Sequence, residues 1–248
     1  MTEKKVLLIT GAAIGIGFET AKLFASKGYS IAFNDHNEKN GENALNTLKE
    51  LGADAAFFCG DATDEIVINE IVKKVIQKFG RIDVLVNNAG GLGGRSSVEE
   101  MTTEFWDRVL NLNLKSTFFW TREAIPYLKK SPSSSIVNIT SLAAYNGGGP
   151  GATAYAVSKA GVLSFTRALA KELIPFDVRV NAISPGTIDT AFHNATEKGI
   201  VESWRKSIPA QRLGQPKEVA DIIYFLASPQ SSYLVGEVIQ INGGQMML

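Results

Sequence analysis

One cysteine, two histidines, no excess of either charge and no long apolar run leave this sequence few routes to function outside a packed globular chain. Cys59 has no second cysteine to pair with, which excludes an intrachain disulfide and a thiolate metal cage. A reducing, cytoplasmic setting suits that usage. His36 and His193 are far apart and lack ligand spacing, so no metal is expected. Lys and Arg balance Asp and Glu at 25 each, and the pairs Lys4-Lys5, Lys73-Lys74 and Lys129-Lys130 stand isolated. No basic stripe for nucleic acid results. The longest apolar run, Ile222 to Ala227, spans six residues, far below the ~20 needed to cross a bilayer. Val6-Leu7-Leu8-Ile9 is too short for a signal peptide. Linkers, repeats and low-complexity segments are absent as well.

What is present is an alternation. At 248 residues and 45% hydrophobic content, the chain can form one α/β domain over residues 1–248. Short β-branched runs at Val6–Thr10, Ser30–Asn34, Ala55–Cys59, Val84–Asn87, Ile136–Thr140, Val178–Ile183 and Val238–Ile241 read as buried strands. Helical patterns separate them, at Ile16–Ser26, Glu38–Leu51, Ile66–Phe79, Glu104–Leu128, Ala156–Leu173 and Lys217–Ala227. Such alternation predicts a doubly wound, seven-stranded parallel sheet with helices on both faces. Ser131-Pro132-Ser133-Ser134-Ser135 reads as a turn before the fifth strand. Gly90–Gly94 and Gly147–Gly151 are loops on the carboxyl edge, where such sheets place ligands. Residues 187–211 carry no strand pattern and are expected to form a flap.

The first strand runs into Thr10-Gly11-Ala12-Ala13-Ile14-Gly15-Ile16-Gly17 and then a helix. Glycines at 11, 15 and 17 let backbone approach a pyrophosphate, and the helix N-terminus offers unpaired N–H groups to it. Gly11, Ile14, Gly15 and Ile16 are therefore candidate cofactor contacts. Asp35 closes the second strand, placed to accept from both adenosine ribose hydroxyls and to repel a 2′-phosphate. No Lys or Arg follows it, since His36 and Asn37 come next, and this favours NAD(H) over NADP(H). Asp61, followed by Ala62, is placed either to accept from an adenine amino group or to cap the next helix.

Tyr155 and Lys159 lie four apart on one helical face. A free phenol titrates near ~10; a neighbouring ammonium and the positive ring of oxidised nicotinamide are expected to lower that value. Ser141 at a strand end and Asn113 in an apolar helix are ordinary taken singly. In this order they are not. With Asn87-Asn88-Ala89-Gly90, Asn181, Pro185-Gly186-x-x-x-Thr190, Arg212-x-Gly214 and Gly243-Gly244, the chain resembles the short-chain dehydrogenase/reductase family over nearly its whole length.

The resemblance implies a Rossmann-like fold and a catalytic set of Asn113, Ser141, Tyr155 and Lys159. Tyr155 would exchange a proton with the carbonyl oxygen, Ser141 would orient that oxygen, Lys159 would hold the nicotinamide ribose, and Asn113 would support a proton relay through water. Asn88, Ala89 and Gly90 would line the cofactor, joined by Pro185, Gly186, Ile188 and Thr190. It also implies a homotetramer packed through the Glu104–Leu128 and Ala156–Leu173 helices. The apolar Met246-Met247-Leu248 end points to a buried contact as well. Two departures stand out: Ser141 and Tyr155 are fourteen apart, one more than in many relatives, which leaves Thr140 a weaker candidate for the serine's role, and Asn242 replaces a usual aspartate.

The resemblance extends to 3-oxoacyl-carrier-protein reductases and to sugar or polyol dehydrogenases. Ile174-Pro175-Phe176-Asp177, apolar then acidic, argues against an acidic carrier protein as substrate. Arg95, Asn146, His193, Trp204 and Arg205 are candidate substrate contacts, suited to a carboxylate or hydroxylated carbonyl compound. The expected substrate is a small keto sugar or sugar acid, such as the uronate-derived 4-deoxy-5-hexoseulose uronate. The alternatives are a carrier-protein reductase and, in another class, a nicotinamide-binding regulator without turnover.

Overall fold

The computed structural model describes residues 4–190 and 198–247. Seven strands form one sheet in the order β3-β2-β1-β4-β5-β6-β7. They are β1 (Val6–Thr10), β2 (Ser30–Asp35), β3 (Ala55–Cys59), β4 (Val84–Asn87), β5 (Ser134–Ile139), β6 (Val178–Pro185) and β7 (Val238–Ile241). Every pairing is parallel. The chain winds outward from β1 to β3 and then returns to β4 beside β1, so the reversal opens a crevice at the carboxyl ends of β1 and β4.

The helices are α1 (Gly15–Ser26), α2 (Glu38–Glu50), α3 (Glu65–Phe79), α4 (Thr103–Leu110), α5 (Ser116–Leu128), α6 (Ala143–Asn146), α7 (Thr153–Leu173), α8 (Lys198–Ser207) and α9 (Pro216–Ala227). Successive strand side chains point to opposite faces, and both faces are covered, which is why the strands are rich in apolar residues on both faces. Leu7 and Ile9 join Phe24 of α1, Leu48 of α2 and Ile223 of α9 on one side. Leu8, between them, joins Ile68 of α3, Trp120 of α5 and Leu173 of α7 on the other.

Several elements differ from the sequence reading. β5 begins at Ser134, inside the expected turn, because Ser134 and Ser135 pair with Val178 and Arg179. Their buried hydroxyls donate to Leu128 O and Leu226 O, so two residues that look like turn formers are satisfied inside a strand. The expected helix Glu104–Leu128 is interrupted by a π-helical turn at Asn111–Lys115. α7 starts at Thr153, not Ala156, so Tyr155 lies in its first turn. α6 was not expected, nor were α8 and a backbone bridge between Ile188 and Gly214.

Candidate active site

The glycine turn is shaped by close approaches. Gly11 and Gly15 both hold φ +61°, a region that L side chains rarely adopt. A Cβ on Gly11 would stand 2.9 Å from Ala89 Cα, and one on Gly17 would stand 2.6 Å from Gly11 O. The turn is therefore pressed onto the end of β4 on one side and onto its own helix on the other. Asn88 locks it there, its Nδ2 donating to Thr10 O at 2.9 Å and to Gly11 O at 2.7 Å. Thr10 Oγ1 in turn accepts from the backbone of Asn88 and Ala89.

α2, α3 and α4 are each capped by a side chain, from Asn37, Asp64 and Thr102. α1 is not: Ile14 precedes it without a capping bond. Its N-terminal end, with the positive end of its dipole, instead faces a cleft of about 690 Å³ lined by Ile14, Gly15 and Ile16. A dinucleotide pyrophosphate fits this arrangement of bare backbone and open helix end.

Asp35 is buried and already engaged. Its Oδ2 accepts from Ala13 N at 3.1 Å and its Oδ1 from Asn37 N at 3.0 Å. A carboxylate has about four lone-pair positions, so two stay available for ribose hydroxyls while one holds the glycine turn at Ala13 and another the Asn37 amide after β2. Asp61 is exposed and closes a turn onto Thr63, with N and Oγ1 both 2.8 Å from its Oδ1. The cap of α3 is Asp64, which removes the capping alternative for Asp61.

The cleft floor gathers Ser141, Tyr155 and Lys159 beneath Asn88, Gly90, Pro185, Gly186, Ile188 and Thr190. Gly11, Asp35, Asp61, Ala62, Ala89 and Asn113 do not line it directly. Ser141 stands beside the Tyr155 phenol and acts to lower its pKa, and its Oγ accepts from Ala143 N at 3.1 Å. Thr140, the alternative, donates its hydroxyl to Lys159 O at 2.8 Å; that bond leaves Ser141 as the hydroxyl facing Tyr155.

Lys159 is 4% exposed. Its ammonium donates to Ile139 O at 2.8 Å and stands 5.9 Å from the Tyr155 ring centre. Burial lowers its pKa from 10.5 to about 8. In the protein alone, burial pushes the Tyr155 phenol above its ordinary value, and Ser141 only partly offsets that. Stripping water from a phenolate outweighs a cation that is itself tied to a backbone carbonyl.

Asn113 is fully buried. Its Nδ2 donates to Gly91 O at 2.8 Å and Val109 O at 2.9 Å, and its Oδ1 accepts from Gly91 N at 2.9 Å. The π turn widens the helix here, with Ser116 N reaching back five residues to Asn111 O. Gly90 lies between Asn113 and Lys159: a Cβ there would stand 2.7 Å from Asn113 Oδ1 and 3.0 Å from Lys159 Nζ.

Of the expected substrate contacts, Arg95 and Asn146 line the cleft. Arg95 Nη1 donates to Pro150 O at 2.7 Å, joining the two glycine loops, and Asn146 Oδ1 accepts from Gly148 N. Arg205 does not reach it. It faces Glu202 on α8 at 3.5 Å and lines a separate hollow with Asp189 and Arg212, because the helix turns that face outward. His193 and the Trp204 side chain lie outside the described residues. Gln245 and Leu92 also line the cleft and were not anticipated. The signal for Gln245 was its place just past β7, on the carboxyl edge. At the chain's end Met247 is 82% exposed, so no burial within this chain accounts for that apolar residue. Asn242 organises the turn before it, its Oδ1 accepting from Gly244 N and its Nδ2 donating to Met246 O.

Among the described residues no group of three or more His, Cys, Asp or Glu could hold a metal, and no helix is long and apolar enough to cross a membrane. A family model described as enoyl-(acyl carrier protein) reductase matches residues 11–246. A 3-oxoacyl-[acyl-carrier-protein] reductase FabG of Thermotoga maritima is 44% identical over 242 residues, covering 98% of each chain. Among solved structures, an NADH-dependent reductase A1-R′ responsible for alginate metabolism superposes with a TM-score of 0.91 at 37% identity, over 99% of this chain and 98% of that one. A short-chain dehydrogenase/reductase (glucose/ribitol dehydrogenase) from Brucella melitensis gives 0.92 at 35% identity, over 99% of both. A parallel sheet wound about a glycine turn, with these relatives over almost its full length, places the chain in the short-chain dehydrogenase/reductase family of nicotinamide-dependent oxidoreductases.

Proposed function

We propose that this enzyme transfers a hydride between NAD(H) and a small polar ketone or aldehyde, a keto sugar or sugar acid, with a uronate-derived keto sugar acid such as 4-deoxy-5-hexoseulose uronate as the specific candidate. The observation that carries it is the Ser141–Tyr155 contact on the floor of a cleft whose rim bears Arg95 and Asn146. When bound, the nicotinamide cofactor supplies the hydride in reduction and accepts it in oxidation. Tyr155, neutral at physiological pH, gives its phenolic proton to the carbonyl oxygen as that carbon is reduced. Ser141 donates a hydrogen bond to the same oxygen and orients it. Lys159 holds the nicotinamide ribose, and its charge steadies the phenolate left behind. Asn113 holds Gly91 from both sides and supports return of the proton through water. Gly11, Ile14, Gly15 and Ile16 cradle the pyrophosphate. Asp35 takes the adenosine ribose, Asp61 and Ala62 the adenine, and Asn88, Ala89 and Gly90 the inner face, with Pro185, Gly186, Ile188 and Thr190 on the nicotinamide side.

The preference for NAD(H) rests on Asp35, a buried carboxylate with no Lys or Arg following it. The NADH-dependent relative named for alginate metabolism supports both cofactor and substrate class. Assembly as a homotetramer through α4, α5 and α7 belongs to this proposal; Phe118 and Val157 on those helices are 42% and 45% exposed in the single chain. So does a reducing cytoplasmic setting, which the single free cysteine suits.

A second reading, reduction of a 3-oxoacyl carrier protein, is favoured by the Thermotoga maritima relative. It also draws on Lys129, whose ammonium lies 3.6 Å over the Phe176 ring and puts a cation beside the apolar end of α7. Oxidation of NADH and NADPH should be followed against keto sugar acids, neutral keto sugars, keto acids and acetoacetyl thioesters. Arg95→Ala should lower kcat/KM for acidic substrates about ten-fold relative to neutral ones, as loss of one charge-assisted contact requires. Turnover confined to the thioester would establish the second reading, and an unchanged ratio would remove Arg95 from substrate binding. Absence of turnover with either cofactor on every carbonyl would instead point to a regulator.

A further inference from the structure

Among the described residues, the stretch between β6 and α9 stands on two feet, and both rest on the C-terminal tail. Its first foot is Thr187. Thr187 N donates to Gln245 Oε1 at 2.8 Å, and Gln245 Nε2 donates to Thr187 Oγ1 at 3.1 Å. Its second foot is Pro209–Ala210: Ala210 N donates to Gly243 O at 3.0 Å, and a Cβ on Gly244 would stand 3.1 Å from Pro209 Cβ. Gly214, four residues past the second foot in the chain, pairs with the first: its N donates to Thr187 O and its O accepts from Asp189 N.

The Gln245 amide grips Thr187 with both its oxygen and its nitrogen. The fit is tight. A Cβ on Gly186 would fall 2.3 Å from Gln245 Oε1, so the glycine leaves the space that the amide occupies. Asn242 bonds its own tail, to Gly244 N and Met246 O, which holds Gln245 on this course. Ile188 and Thr190 follow Thr187 at once and line the cleft with Gln245 itself.

We infer that Gln245 is a positioning residue for hydride transfer: its amide fixes Thr187, and through Thr187 it holds Ile188 and Thr190 against the cofactor, so that it governs how long the cofactor stays bound. This rests on nicotinamide binding in the cleft. A methionine at 245 has similar length and neither bond. It leaves the Thr187 amide without its acceptor in a partly buried position, where a lost partner is felt more strongly than the mean worth of a hydrogen bond.

The test is stopped-flow fluorescence of cofactor dissociation, beside amide hydrogen exchange and thermal unfolding, on wild type and Gln245→Met. Titrating wild type with NADH and NADPH comes first; if neither binds, the cofactor reading fails and the inference with it. With binding established, Gln245→Met should speed dissociation about ten-fold. Exchange at Asp189 and Gly214 should quicken while that of Leu8 in β1 holds steady. Dissociation within two-fold of wild type would overturn the inference, as would exchange rising equally across the sheet, which marks a merely structural role. Thr187→Val keeps the backbone bond and removes the hydroxyl partner, so it tests the same clamp if the methionine variant folds poorly. Its effect and that of Gln245→Met should combine non-additively, and strict additivity would count against the clamp.

Discussion

Lys159 holds a charge in surroundings that oppose it, and this makes its energetic signature unusual. Its ammonium is buried, with Ile139 O as a hydrogen-bond acceptor, and its pKa falls from 10.5 to about 8. Below pH 8 the side chain is charged in both folded and unfolded chains, and folding carries the full penalty of burying that charge. Above 10.5 it is neutral in both and the penalty vanishes. Stability contributed through this residue therefore rises with pH across that window. At 1.36 kcal/mol per pKa unit, the penalty is about 3 kcal/mol at pH 7 and about 1 kcal/mol at pH 9.5. The perturbation is Lys159→Met, which removes the titration. Urea unfolding of both proteins at the two pH values, at one protein concentration so that association is held constant, yields the difference in unfolding free energy. Wild type minus variant should rise by about 2 kcal/mol from pH 7 to pH 9.5. A difference flat to within about 0.5 kcal/mol would refute the reasoning, since it would mean that burial does not oppose the charge. The ordinary tyrosines, common to both proteins, cancel.

Gly17→Ala should destabilise the fold by about 1–3 kcal/mol, the range for overpacking, because its methyl would meet Gly11 O at 2.6 Å and Ala12 Cα at 2.8 Å, both backbone. Thermal unfolding with and without cofactor measures this, and a methyl accommodated without loss would show that the turn yields. Asp35→Ala removes the acceptor for Ala13 N and Asn37 N as well as the ribose contact. The Kd for NADH should rise about ten- to a hundred-fold, the worth of one or two hydrogen bonds to a charged group, while that for NADPH changes less. Fluorescence titration with both cofactors decides it, and an unaltered NADH-to-NADPH ratio would count against Asp35 as the discriminating residue.

The inner strands were legible because they are buried on both faces and so are rich in apolar, β-branched residues, and the glycine turn because of its place between a strand and a helix. What escaped has physical reasons too. Ser134 and Ser135 have the composition of a turn, and only their partners on Leu128 and Leu226 make them strand residues. Apolar periodicity does not register the π turn at Asn113, where one added backbone step leaves the pattern of buried residues nearly intact. The upward shift of Tyr155 depends on burial by distant segments. The outward face of Arg205 depends on how α8 is seated. Gln245 is a lone amide in sequence, and its meaning arises only when the tail meets Thr187 from the far end of the chain.

The π turn at Asn111–Lys115 also bears on how this enzyme tolerates change in length. A helix with one residue too many in a single turn is out of phase with itself: side chains before it and after it follow two different stripes. Deleting one residue there would restore an unbroken spiral and improve its local bonding. It would also rotate everything on one side of the cut by about 100°, the angle of one residue in a helix of 3.6 per turn. Asn113 would then leave Gly91, or α5 would leave the sheet. The irregular helix is the form in which both can be satisfied, and selection for a smoother one would work against the site it serves.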